Sequence, residues 1–149
     1  MKNKTTPSNV EGLDFQDAVA YAKREAATLK AEGCDVVIAL SHTLDPKNVA
    51  AQVDGVDLWL CGHEHIELSE SVTTPDGSKT YVSESGHYLN SVGLINLNCT
   101  MDEDGSGKVR KIINESSAAT ETYLAHQLPD KCVATATPIG LVVLLLVFD

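Results

Sequence analysis

The sequence lacks any dense cluster of positive charge. It has 11 Lys and Arg residues against 21 Asp and Glu residues, a formal net charge of −10, and its basic residues are scattered along the chain. Proteins that bind nucleic acid hold the phosphate backbone with dense basic patches. A nucleic-acid polymer is therefore not predicted as the partner. An acidic protein can still bind a phosphate ester where metal ions supply positive charge locally.

The sequence also lacks the paired cysteines of a zinc knuckle. No C-x-x-C pair occurs, and we interpret the widely spaced cysteines as buried or incidental thiols, although an exported protein could pair two of them. These cysteines are Cys34, Cys61, Cys99 and Cys132.

No apolar run is long enough for a membrane helix. The charged segment 1–7 has no apolar stretch behind it, so no signal peptide is visible. The apolar run from Ile139 to Phe148 has about half of the ~20 residues that a membrane helix needs. We interpret this run as a strand or a fragment of core, and a membrane anchor is the weaker hypothesis.

The first part of the chain predicts an α/β unit within a single domain. Apolar spacing predicts a helix, a strand, a shorter helix and a second strand over residues 14–29, 35–40, 45–53 and 56–61. Asp14 is the expected N-cap of the first helix and Gly33 its expected stop, whereas Asp45 and Pro46 begin the second helix. Continuous apolar runs beside helices favour parallel strands.

After residue 65 the pattern favours antiparallel strands that complete a mixed sheet. Two strand pairs are predicted, each around a turn: 68–73 with 79–83 around residues 75–77, and 91–98 with 108–114 around residues 102–107. Residues 115–127 are predicted to be helical, exposed and leading out of the domain.

Three histidines follow the two predicted parallel strands. His42 comes two residues after the first strand, and His63 and His65 come just after the second. If the strands are neighbours, the three imidazoles gather at the carboxyl end of the sheet, where open α/β sheets bind ligands. Residues two apart in extended backbone point to the same side, so His63 and His65 could face one cavity. The alternative is that these are solvated loop histidines.

Two motifs carry a resemblance to a known family. Leu-Ser-His at 40–42 and Gly-Val-Asp-Leu-Trp-Leu-Cys-Gly-His-Glu-His at 55–65 resemble the last two metal-binding motifs of calcineurin-like metallophosphoesterases. The similarity is to the 5′-nucleotidase and 2′,3′-cyclic-nucleotide phosphodiesterase branch, and it extends over roughly residues 5–114. It implies an α/β fold that is part of a four-layer α/β/β/α domain, with antiparallel strands in its second half.

The resemblance also implies a metal site and a substrate class. In this family two divalent ions (zinc, manganese or iron) clamp a phosphate while a metal-activated water attacks phosphorus. Carried over by motif, His42 and His63 would ligate one metal and His65 the other. The implied substrate is a nucleotide or another phosphomonoester. No ligand role carries over to His87, and catalytic and substrate-binding residues stay unassigned.

The earlier motifs of the family are absent from this sequence. Asp-x-His, Gly-Asp-x-x-Asp and Gly-Asn-His-Asp/Glu supply the remaining ligands, including a carboxylate that offsets the repulsion between the two ions. We therefore expect residues 1–114 to be the C-terminal part of a catalytic domain, 115–138 a helical linker toward an absent second domain, and 139–149 a tail of unclear origin.

Two hypotheses follow from these missing motifs. One is an incomplete phosphoesterase, with little or no activity alone, whose partner is the missing N-terminal half of the catalytic domain. The alternative is a non-catalytic metal-binding fragment or interaction module that docks on a partner chain.

Overall fold

A computed structural model describes residues 6–88, 91–95, 100–101, 109–111, 120–124 and 141–146. These residues contain a 3₁₀ turn at Pro7–Val10 and the helices α1 (Ala18–Ala31) and α2 (Pro46–Ala50). The strands are, in chain order, β1 (Val36–His42), β2 (Leu58–Gly62), β3 (Glu67–Thr73), β4 (Lys79–Ser85), β5 (Ser91–Ile95), β6 (Thr100–Met101), β7 (Val109–Lys111), β8 (Thr120–Leu124) and β9 (Leu141–Leu146).

The main sheet has the strand order β3-β4-β2-β1-β9. β1 runs parallel to β2 and β9, and β2 runs parallel to β4, whereas β3 runs antiparallel to β4. The predicted mixed α/β sheet is thereby confirmed. Because β1 and β2 are parallel neighbours, their carboxyl ends meet at one edge, with His42 opposite Gly62.

Helix α1 begins later than the sequence predicts. The side chain of Asp17, rather than that of Asp14, accepts a hydrogen bond from Ala20 N at 2.7 Å, so Asp17 caps the helix. The predicted stop is correct, because Gly33 adopts a φ of 90° just after the last turn. Helix α2 begins at Pro46 with Asp45 as its cap, as predicted, but it ends at Ala50.

Alternation along the strands separates two apolar clusters. Val37 and Ala39 of β1 pack with Trp59 of β2 on the face that α1 covers. Val36 and Ile38 lie in the cluster of the opposite face. Trp59 is fully buried, so the segment of β2 just before the histidine motif is anchored in the core.

A partly buried carboxylate fixes β1, β2 and α1 relative to one another. Asp57 Oδ2, just before β2, accepts hydrogen bonds from Lys30 Nζ and from the backbone N–H of Val37, each at 2.8 Å. Lys30 lies on α1 and Val37 on β1. This contact ties together the elements that support the histidine motifs.

The hairpin of β3 and β4 forms as predicted, around a turn at residues 74–78. Gly77 has a φ of 84°, which glycine adopts without strain. Asp76 accepts hydrogen bonds from the Thr74 hydroxyl and the Ser78 N–H, and these hold its pKa below the ordinary value of an aspartate.

The strand pairing predicted for the second half is wrong. β5 pairs with β8, and the short β6 pairs with β7, so residues 91–95 and 109–111 are not partners. The helix predicted over 115–127 is also wrong at Thr120–Leu124, which is the strand β8. Thr and Tyr favour strands, and pairing with β5 satisfies the backbone. The predicted turn at 102–107 lies outside the described residues.

The apolar run near the C-terminus contains a strand, as we interpreted it. β9 lies beside β1 over Val36 to Ser41. In the described part of the chain, no helix combines the length and apolar character that crossing a membrane requires.

Candidate metal centre

The carboxyl ends of β1 and β2 bring two of the predicted histidines together. The ring centroids of His42 and His63 lie 5.0 Å apart, and their planes meet at 88°. The ring of His42 rests against Gly62, where an added Cβ would lie 3.1 Å from His42 Nδ1. Gly62 therefore leaves the space that lets the two imidazoles approach. Imidazole nitrogen is a donor that zinc, manganese and iron accept.

His65 packs in a separate aromatic group. Its ring stacks on that of His87, with centroids 5.0 Å apart and planes 12° from parallel. The Tyr88 ring meets both edge-on, at 5.5 Å from His65 and 4.7 Å from His87. An imidazole binds metal in its own ring plane, so two nearly parallel stacked rings cannot share one ion. In this arrangement His87 is a packing partner of His65.

The turn that carries His63 and His65 has an unusual backbone. His63 has a φ of 97° and His65 a φ of 60°, in the left-handed region that non-glycine residues seldom adopt. Such conformations cost about 1–3 kcal/mol each and persist only where surrounding contacts hold them.

Two carboxylates hold this turn. Glu84 Oε1, on β4, accepts a hydrogen bond from the backbone N–H of His65 at 2.7 Å. Glu64 Oε1 accepts one from the N–H of Asp45 at 3.0 Å and so links the turn to the start of α2. The backbone oxygen of Ile66 also accepts from the N–H of Gly86 at 2.8 Å.

Behind the turn lies a row of polar side chains on three adjacent strands, of which Ser41 and Glu84 are buried and Cys61 is half-buried. Ser41 of β1 lies opposite Cys61 of β2, and Glu84 of β4 is close enough for its charge to act on the thiol. Burial raises the pKa of Cys61 to about 12, and the negative charge of Glu84 adds to this effect. In the metal-free chain the Cys61 thiol is therefore neutral near pH 7.

Two curated proteins of known function are similar to this chain in sequence. No protein-family model matches the chain. It is 36% identical to a trifunctional nucleotide phosphoesterase of Bacillus subtilis over 38% of this chain and 5% of that protein. It is 30% identical to an NAD 5′-nucleotidase of Haemophilus influenzae over 61% of this chain and 18% of that protein.

Solved structures show where the fold belongs. The structure of Haemophilus influenzae NAD nucleotidase matches with a TM-score of 0.58 and 22% identity, over 74% of this chain and 24% of that one. The sulfate thiohydrolase SoxB of Thermus thermophilus matches with a TM-score of 0.63 and 23% identity, over 86% of this chain and 22% of that one. The chain has a calcineurin-like metallophosphoesterase fold. The resemblance predicted from the motifs is thereby confirmed.

The chain covers only a small share of the length of its relatives. It spans 5% and 18% of the length of the two curated relatives. It spans 24% and 22% of the two solved chains.

The residues at the carboxyl ends of β1 and β2 fit part of a metal site. His42 and His63 supply two imidazoles side by side, which suits one face of a divalent ion. Across residues 6–88 and the described strands, no three His, Cys, Asp or Glu side chains are grouped closely enough to hold a metal ion. The ligand roles of His42, His63 and His65 stay a prediction.

Glu84 belongs to this site, although the local sequence pattern does not indicate it. It lies in the polar run Ser83-Glu-Ser-Gly86, which has no apolar pattern to indicate burial. Only the pairing of β4 between β2 and β3 makes this side chain inaccessible. The sequence feature that could have indicated Glu84 is its position at the carboxyl end of a predicted strand, next to the Gly-His-Tyr segment.

Proposed function

We propose that this chain carries part of the site of a metal-dependent nucleotide phosphoesterase. His42 and His63 would ligate one divalent ion, zinc, manganese or iron, and His65 would ligate a second. The observation that carries the proposal is the 5.0 Å approach of the His42 and His63 rings at the carboxyl ends of two parallel strands. The names of the relatives, a nucleotide phosphoesterase and an NAD 5′-nucleotidase, support a nucleotide as substrate.

The residues of the chain prepare the site, and the metal supplies its charge. Bound by His42 and His63, a divalent ion would supply positive charge for a phosphate ester and a Lewis acid for activating water. With a formal net charge of −10 and scattered basic residues, the chain itself offers little positive charge to a phosphate, and the ion would supply it locally. Pairing of β1 with β2 holds His42 beside the histidine turn, and Gly62 keeps room for its ring.

We further propose that the chain needs additional ligands for turnover. Two imidazoles on one ion leave open positions, and the described residues group no third donor with them. A segment or partner chain with the Asp-x-His, Gly-Asp-x-x-Asp and Gly-Asn-His motifs would supply the missing carboxylates. The purified chain should therefore show little or no phosphatase activity by itself.

Metal affinity tests the proposal directly. Zinc or manganese binding to the purified chain should be followed by calorimetry in the wild type, His42→Ala and His63→Ala. Each substitution removes one of two neighbouring nitrogen donors. Loss of an outer-shell partner already weakens metal binding by about tenfold or more, so loss of a direct ligand should weaken it by more than about tenfold. His126→Ala, at a histidine outside the two motifs, is the matched control and should bind as the wild type does.

Equal affinity in the wild type and in both motif variants would contradict the metal site. It would favour the alternative of an interaction module that docks on a partner. Robust metal-dependent hydrolysis of a nucleotide by the purified chain would instead contradict the proposed need for further ligands.

A further inference from the structure

The histidine turn crosses over a strand to which it does not belong. β2 ends at Gly62 and β3 begins at Glu67, yet β4 lies between these two strands in the sheet. Residues 63–66 must therefore pass over the carboxyl end of β4. Glu84 lies at that end, next to the last residue of the strand.

Glu84 is placed to hold the turn from below. Its side chain is 3% exposed, and Oε1 accepts the His65 N–H at 2.7 Å. A hydrogen bond to a carboxylate is stronger than one between neutral groups, and low local polarity strengthens it further. β4 is paired on both sides, so this acceptor sits on a rigid element.

We propose that Glu84 is a positioning residue for the metal-ligating turn. The bond from its carboxylate to His65 N–H holds the positive φ angles of His63 and His65, and these angles set the directions of both imidazoles. The inference rests on the proposed function of His63 and His65, because it assigns Glu84 a role through them.

A purely structural role explains Glu84 less well. Within the described part of the chain, its second oxygen, Oε2, is buried and has no hydrogen-bond partner. An unpaired buried polar oxygen is destabilising, and an apolar side chain here would avoid that cost. Val82 and Leu68, which lie on the same face of β4 and β3, show that apolar residues are accommodated there.

The test compares three variants of the full chain. Glu84→Ala removes the acceptor, and Glu84→Gln keeps an oxygen that can accept the same N–H. Val82→Ala is the matched control, because it truncates a fully buried side chain two residues earlier on the same face without touching the turn. If Glu84→Ala does not fold, Glu84→Asp replaces it, since its shorter side chain keeps the charge but draws the acceptor away.

Zinc affinity and amide exchange are measured for each variant. Glu84→Ala should lower zinc affinity by about 10–100-fold, as loss of an outer-shell partner does, and Glu84→Gln should recover most of it. In the metal-free chain, exchange of the His65 amide hydrogen measured by NMR should accelerate in Glu84→Ala and stay slow in Glu84→Gln. Val82→Ala should leave both zinc affinity and His65 exchange close to wild type at a temperature where the chain is folded.

The two readouts separate this inference from the proposed function. If the wild type binds no zinc, the proposed function fails, and accelerated His65 exchange in Glu84→Ala alone would still show that Glu84 holds the turn. Unchanged His65 exchange in Glu84→Ala, or equal losses in Val82→Ala, would overturn the positioning role.

Discussion

The His42–His63 pair and the His65–His87–Tyr88 group are held by different kinds of structure. His42 is the last residue of β1 and is fixed by backbone pairing with β2. His65 lies in a turn with a φ of 60°, and Tyr88 beside it has a φ of 52°. In a paired strand, the main-chain hydrogen bonds of the sheet fix the position of a side chain, and no side-chain acceptor is needed. A side chain in a strained turn needs an acceptor, and here that acceptor is the Glu84 carboxylate.

His63 belongs to both arrangements. Its ring meets His42 at the strand ends, whereas its backbone has a φ of 97° and lies in the turn. The pair should therefore be sensitive to changes on the strands and to changes in the turn. Substitutions that change only the strand ends, or only the turn, can therefore show how much each contributes to zinc binding.

On the strand side of the site, filling the space beside His42 should weaken zinc binding. In Gly62→Val the Cβ would lie 3.1 Å from His42 Nδ1, and the added methyl groups would move the ring away from His63. We expect zinc affinity to fall by about tenfold, equivalent to about 1.4 kcal/mol. Calorimetric titration of Gly62→Val and of the smaller Gly62→Ala should show a graded loss.

The rings of His65, His87 and Tyr88 serve as the control for the two Gly62 variants. The NMR signals of the His65, His87 and Tyr88 rings should keep their wild-type shifts in both variants, since these rings do not contact Gly62. Undiminished zinc affinity in Gly62→Val would show that the approach of His42 to His63 is not what binds the metal.

The reactivity of the Cys61 thiol tests the surroundings of Glu84. With a pKa of about 12, Cys61 has a thiolate fraction of about one in ten thousand at pH 8, far below that of an ordinary cysteine. Its alkylation by iodoacetamide, followed by peptide mapping, should be slow in the folded chain and fast after denaturation. Raising the pH toward 12 should accelerate the reaction, because the thiolate is the nucleophile.

Glu84→Gln sharpens this measurement. It removes the negative charge that helps raise the pKa of Cys61, so alkylation at pH 8 should be faster than in the wild type. Burial remains the larger cause, and the rate should therefore stay below that of the denatured chain. Equal rates in the folded and denatured wild type would contradict the raised pKa of Cys61 in the folded chain.

Local patterns were sufficient to predict the α/β unit that carries the histidines. The apolar runs at 35–40 and 56–61 are short, continuous and bounded by turn residues, and they correspond to β1 and β2. Gly33 and Asp45-Pro46 are strong signals because each satisfies a specific backbone requirement at a helix end. The approach of His42 to His63 follows from these elements once the strands are parallel neighbours.

Long-range pairing could not be predicted from such patterns. β5 finds its partner in β8, and the residues between them include the β6–β7 pair, so neighbouring segments of the sequence are not partners in space. The role of Glu84 depends on a crossing of the chain over β4, which no local pattern indicates. His65 packs on His87 through a contact between two turns that are also far apart in sequence.

X-ray absorption of the zinc-loaded chain can show whether His42 and His63 bind the same ion. We expect two imidazoles per zinc in the wild type, with Zn–N distances of about 2.0–2.1 Å. One imidazole should remain in His42→Ala. A zinc environment of oxygen ligands alone, or one unchanged in His42→Ala, would contradict the claim.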